Sequence, residues 1–479
     1  MKYRALASVF GLLLLGSAGA ASGQGTPPTP AADAATAVEA PAPAGGAPAV
    51  SPATPPSAAA PFDPEAATRA YLDRVPPDQK ARSDAYFEGG YWLQLWGFLY
   101  GLAVALLLLA SGLSRRLRDF AGRITRFRPI RNFVYAVGYI LLATLLTLPL
   151  TLYQGFYREH QYDLSNQTLG EWLADLGKGV GVSVILGSLV LVAIYAVLRR
   201  ATRTWWIWAS VVVIVFLAVS VVIAPVYIDP LFNKYTRLED PRVSAPILSM
   251  AAANGVPVDN VWVFDASKQS KRISANVSGL FGTERVRLND NLLNRTSLPE
   301  IEMVMGHELG HYVLNHVYEM LIELGLLVVV GFAFVRLTFE RVRSRWGARW
   351  GVKGIDDPAG LPLALALLSV FFFVATPLVN TIIRVNEAEA DLFGLNASRQ
   401  PDGFAEVALK LGEYRKLDPG PVEEWIFFDH PSGRERILMA MRFKAAQLAA
   451  GETTGAAGAP PPAAAPAGSA PVAASGSGG

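Results

Sequence analysis

Runs of apolar residues dominate the pattern along the chain. Six are long, Tyr91 to Leu113, Phe133 to Phe156, Val180 to Leu198, Trp205 to Ile228, Met320 to Phe339 and Leu361 to Ile383. Each is near the ~20 residues that a membrane-crossing helix needs. Between the fourth and fifth runs the pattern changes to that of a small soluble unit. A helical stretch near Val243 to Asn254 is followed by two strand-like runs, Asn260 to Phe264 and Arg285 to Leu288, separated by the polar, glycine-containing segment Ser267 to Gly282. Ser297-Leu298-Pro299-Glu300 then reads as a capping box with proline in the first turn, so a helix starts there and is expected to run on toward the fifth span. The pattern predicts an all-α polytopic membrane protein of about six to seven transmembrane helices with a small α+β insertion.

The chain ends differ. Met1-Lys2-Tyr3-Arg4, an apolar stretch through Leu15 and the small triplet Ala18-Gly19-Ala20 have the three-part layout of a signal peptide over 1–20. Residues 21–84 read as a disordered Ala/Pro-rich linker, and the same bias returns in the tail, 449–479. The remaining divisions expected are helices 1–4 in 85–228, the soluble insertion in 229–319, helices 5–6 in 320–383 and a C-terminal part in 384–448.

Composition narrows the function classes. With 52% hydrophobic residues and a net charge of +2, the chain is too apolar for a set of soluble domains and has no continuous basic face for nucleic acid. It has no cysteine, so any metal must be held by His, Asp or Glu. Arginines set the orientation. Arg115, Arg116, Arg118, Arg123, Arg126, Arg128 and Arg131 follow the first run, Arg199, Arg200 and Arg203 the third, and Arg341, Arg343, Arg345, Arg349 and Lys353 the fifth, whereas Tyr157 to Gly179 carries only Arg158 and Lys178. Positive charge stays on the cytoplasmic side. This places Asp229 to Glu319 and Arg384 to Ala450 on the outer side, periplasmic in a bacterial inner membrane.

The chemistry gathers in few residues. His307-Glu308-Leu309-Gly310-His311 fits H-E-x-x-H, whose spacing stacks two imidazoles on one helical face with the glutamate beside them. Two neutral histidines can share one zinc ion while Glu308 takes a proton from water. His316 lies five residues past His311, rotated off that face, and reads as a helix or boundary residue. A catalytic zinc needs a third protein ligand. In Asn386-Glu387-Ala388-Glu389-Ala390-Asp391, Glu387 and Asp391 share a face while Glu389 points away, so one carboxylate could bind the ion and the other orient a histidine.

His307 to His311 together with Glu387-x-x-Ala390-Asp391 resemble the type I CAAX prenyl protease family of membrane zinc metallopeptidases, peptidase family M48. Leu231-Phe232-Asn233-Lys234-Tyr235-Thr236, His430-Pro431 and Glu435-Arg436 extend the resemblance from about Tyr86 to Arg436. It implies a ring of membrane helices enclosing a chamber, with a zincin-like insertion. It also implies one zinc per chain held by His307, His311 and Glu387, Glu308 as general base, Asp391 supporting a ligand, and His430 and Arg436 lining the site. Where the family has Ser-Asn-Ala-Tyr on a substrate-pairing edge strand, this chain has Ser274-Ala275-Asn276-Val277, with Asn276 the candidate substrate contact; Phe427 stands where an earlier family histidine would be. The resulting expectation is a metalloendopeptidase acting on peptide or protein substrates at the bilayer, for processing or quality control. The alternatives are a catalytically silent scaffold of the same fold and a transporter, for which ionisable residues near mid-span are sparse, Glu323 being the main one.

Overall fold

The computed structural model describes residues 62–278 and 284–451. The expected signal peptide, most of the Ala/Pro-rich linker and the tail from 452 onward lie outside the described residues. Among the described residues, five helices are long and apolar enough to cross a membrane: α2 (Pro77–Ala110), α4 (Arg128–Leu152, prolonged through a π turn to Gln161), α5 (Leu169–Arg200), α6 (Trp205–Ile223, prolonged to Leu231) and α10 (His316–Trp350). Two further apolar helices, α11 (Leu361–Val374) and α12 (Thr376–Ser398), are bent by 58° at Ala375 and count as a sixth span if the pair is taken as one. The six expected runs are thus all found in helices. Neighbouring helices touch in the order α2, α4, α5, α6, α10, α11 and back to α2, which closes a ring.

The Arg-rich connection after α2 is itself a helix, α3 (Leu113–Ile124). It ties two stretches of chain at that end of the ring. Arg118 reaches Asp357 at 2.6 Å, and Asp357 also accepts from the amides of Lys353 and Ala359.

Residues 62–84, expected as linker, are largely helical instead. α1 (Pro64–Leu72) is capped by Asp63, which accepts from the Glu65 amide, and α2 already begins at Pro77. Tyr71 donates to Asp402 at 2.9 Å, and Arg74 pairs with Glu406 at 2.7 Å. This short helix is fixed by distant partners, a tertiary effect that local composition does not carry.

The insertion is built on a four-stranded sheet in the order β1 (Tyr235–Arg237), β2 (Val261–Phe264), β4 (Arg285–Asn289), β3 (Ala275–Ser278), with β2 and β4 parallel and the outer pairs antiparallel. β2 and β4 match the two expected strands. The other helix, α7 (Pro241–Ala253), and α8 (Asp290–Arg295) flank the sheet, and α9 (Leu298–Val313) crosses it. Ile301, Met305 and Leu309, spaced by four along α9, bury against Val277, Val286 and Leu288 in one apolar core. That packing turns His307 and His311 away from the sheet. The capping box at Ser297 forms, with Glu300 accepting from the Ser297 amide and hydroxyl at 2.7 Å. Arg287, buried in β4, reaches Asp229 at 3.0 Å and so ties the sheet to the end of α6.

The motif helix does not run on into the fifth span. α9 ends at Val313, and Asn315 takes the left-handed conformation (φ 61°) before α10 begins at His316. Asparagine is among the few non-glycine residues that accept this region readily. Three further helices, α13 (Pro401–Leu411), α14 (Pro421–Phe427) and α15 (Gly433–Ala449), complete the described chain.

Candidate metal centre and active site

Two helices meet backbone to backbone to make the site. α9 carries the H-E-x-x-H residues and α12 carries Glu387 and Asp391; they cross where Gly306 and Gly310 face Phe393 and Gly394. A Cβ at Gly394 would lie 2.8 Å from the backbone nitrogen of His307 and 2.7 Å from Cε of Met303. Only glycine permits that approach.

The crossing brings three ligand groups together. Nε2 of His307 and Nε2 of His311 are 3.1 Å apart. Glu387 offers Oε2 at 3.3 Å from the former and Oε1 at 3.4 Å from the latter. Bond lengths of about 2.0–2.1 Å to a tetrahedral zinc put its ligands about 3.3 Å apart. The triangle fits such an ion with one position left for water. Two imidazole Nε2 atoms face each other across it, an arrangement satisfied by a cation between them or by a hydrogen on one of the two.

Other residues hold the ligands. Nδ1 of His307 lies 2.8 Å from Asp391, which leaves Nε2 directed at the ion site. Burial pulls His307 down, but the Asp391 and Glu387 carboxylates outweigh it and push its pKa up to about 10. Arg436, from α15, places Nε 2.8 Å from Asp391 and Nη2 3.3 Å from Glu387, so two buried carboxylates share one guanidinium. His430, in the loop before α15, lies 3.2 Å from Glu387 through Nε2 and 2.8 Å from Asp429 through Nδ1. Burial and the Arg415 guanidinium hold it below the ordinary imidazole range.

Glu308 is half-buried beside the ligand face. Asn276 sits on β3, an edge strand among the described residues, packed along α9; its side chain is buried. Reading from the sequence left out two residues. His316 is fully buried with Nδ1 2.9 Å from Nδ1 of His311, and Glu389, expected to point away, comes within 3.3 Å of Nε2 of His316. The reading assumed one continuous helix. The only available signal was Asn315, a residue suited to a left-handed break.

Residues 65–234 match the model of the CAAX prenyl protease N-terminal region, with five membrane helices, and residues 237–442 match that of peptidase family M48. The Uncharacterized metalloprotease YhfN of Bacillus subtilis is 30% identical over 355 residues, which cover 72% of this chain and 82% of that protein. The chain belongs to peptidase family M48. Among other M48 relatives, CAAX prenyl protease 1 of Saccharomyces cerevisiae is 28% identical over 393 residues, 76% of this chain and 86% of its own length. The crystal structure of S. mikatae Ste24p shares the fold, with a TM-score of 0.65 at 23% identity, covering 79% of this chain and 95% of that one. As an M48 member with five to six candidate spans among its described residues, the chain is a multi-pass membrane metalloprotease.

Proposed function

We propose that the chain is a zinc-dependent endopeptidase of a bacterial inner membrane, with the site on the periplasmic side and peptides or exposed protein tails as substrates. The observation that carries this reading is the triangle of His307, His311 and Glu387 with Glu308 beside it. A zinc ion bound there supplies a Lewis acid and a water that ionises near neutrality. Glu308, beside the triangle, would act as the general base that takes up a proton on its carboxylate and as the acid that hands it to the leaving amine. Asp391 and Arg436 keep His307 and Glu387 in place, and His430 stands at the rim, where it reaches the oxyanion that develops on the scissile carbonyl. β3 offers an edge along which a peptide backbone aligns, with Asn276 within it.

The arginine distribution supports the periplasmic placement. The yeast relative is named for prenylated CAAX tails, but an outward-facing site in a bacterium meets exported and membrane proteins, which favours quality control or processing of these. We further assign 1–20 as a signal peptide, on its charged, apolar and small-residue layout.

The test is zinc content together with hydrolysis of a quenched, unstructured peptide by the full chain in detergent, wild type against Glu308→Ala. About one zinc per chain in both, with hydrolysis only by wild type, is expected. Equal behaviour of the two, without metal, would hand the function to a silent scaffold of the same fold.

A further inference from the structure

His316 is buried completely, and the chemistry above gives it no task. A continuous helix would turn it away from His311. The left-handed residue Asn315 resets the direction of the chain, so that a side chain five positions on returns to the ligand's far nitrogen.

Two ring nitrogens 2.9 Å apart bond only when one carries the hydrogen and the other a lone pair. A neutral His311 that gives its Nε2 lone pair to a metal carries its hydrogen on Nδ1. Nδ1 of His316 must then accept, and the hydrogen of His316 must sit on Nε2, where the Glu389 carboxylate lies 3.3 Å away to receive it. Every nitrogen in this series has one allowed role, fixed from the metal outward.

We propose that His316 is the positioning residue for His311: its Nδ1 lone pair, aligned by Glu389, selects the His311 tautomer and ring angle that bind the metal. The proposal rests on the zinc reading above. It gives each ligand histidine its own support, Asp391 with Arg436 behind His307, and His316 with Glu389 behind His311. Glu319 and Glu389 also approach His316 closely enough for the three to share an ion. The hydrogen on Nε2 excludes that while His311 holds the catalytic metal.

The test compares two polar replacements in the full-length chain in detergent. In His316→Asn the amide oxygen takes the place of Nδ1 and still accepts from His311; in His316→Gln the amide reaches the place of Nε2 and does not. Zinc affinity is read by competition with a chromophoric chelator, and ligand geometry by the visible spectrum of the cobalt-substituted protein. The unfolding midpoints of the metal-free proteins, measured in chelator, show that both variants fold. His316→Gln is expected to weaken zinc binding roughly 10–100-fold and alter the cobalt spectrum, while His316→Asn stays near wild type. Equal affinities in wild type and both variants, or an equal loss in both variants, would overturn the assignment with the metal site intact. Wild type that takes up no more zinc than His307→Ala would bring down the metal reading itself, and the assignment with it.

Discussion

Gly394 shows how much of the site depends on a missing side chain. With a Cβ only 2.8 Å from the His307 backbone, alanine there must push α12 off α9 and carry Glu387 away from both histidines, at a cost of about 1–3 kcal/mol. Gly394→Ala is expected to purify with little zinc and no peptidase activity. Gly181→Ala on α5, where an added Cβ meets nothing within 4 Å, should match wild type in metal content. His307 gives a prediction of its own. Its metal-free pKa is raised to about 10, so below that pH the ring is protonated and zinc must displace the proton. Zinc uptake at pH 8 should release about one proton in excess of any from the bound water, and affinity should climb with pH toward 10. Dye-monitored release after mixing with zinc checks this; uptake without release would contradict it. Of the residues at the centre, those with fixed spacing on one helix were legible in the sequence. His307, Glu308 and His311 follow from helical geometry alone, and Glu387 and Asp391 from a shared face plus a family resemblance. Gly394 was not, because a close helix crossing depends on which helices meet.

At the scale of elements, periodicity served well where an element is long or buried on one side. The six spans, the capped start of α9 and strands β2 and β4 all stand out in the sequence. It failed for α1, held through Tyr71 and through Arg74 just past its end by Asp402 and Glu406 more than 300 positions away, and for the break at Asn315, where a single residue decides whether one helix or two is formed. The junction of α3 with the segment before α11 is another long-range device. Asp357 there answers Arg118 and two backbone amides at once. Asp357→Ala removes one acceptor from a guanidinium that keeps Asp119 and the Gly351 carbonyl, and leaves two amides without theirs, and is expected to lower stability by about 1–3 kcal/mol. Asp357→Asn, which keeps an acceptor, should lose less. Thermal unfolding in detergent orders the three proteins.

The whole molecule divides its labour between a ring of spans and a mixed α/β unit set on one end of it. Which end faces out is a question that the chain's own composition makes easy to ask, since it contains no cysteine. A single cysteine at exposed Ala253, on α7, should react with an impermeant maleimide in intact spheroplasts, and one at exposed Ser344, on the Arg-rich side, only after lysis. The reverse pattern would put the metal centre in the cytoplasm. The ligands bear on the ring as well. His311 stands one short turn before α10, and Glu387 lies on α12, which continues from α11. An ion held by both would clasp the two ends of a loop that contains α10 and α11. Closing so long a loop removes freedom from the unfolded chain, so a metal there would act as a mechanical fastener for the ring, and its loss would loosen the wall of the molecule along with its chemistry.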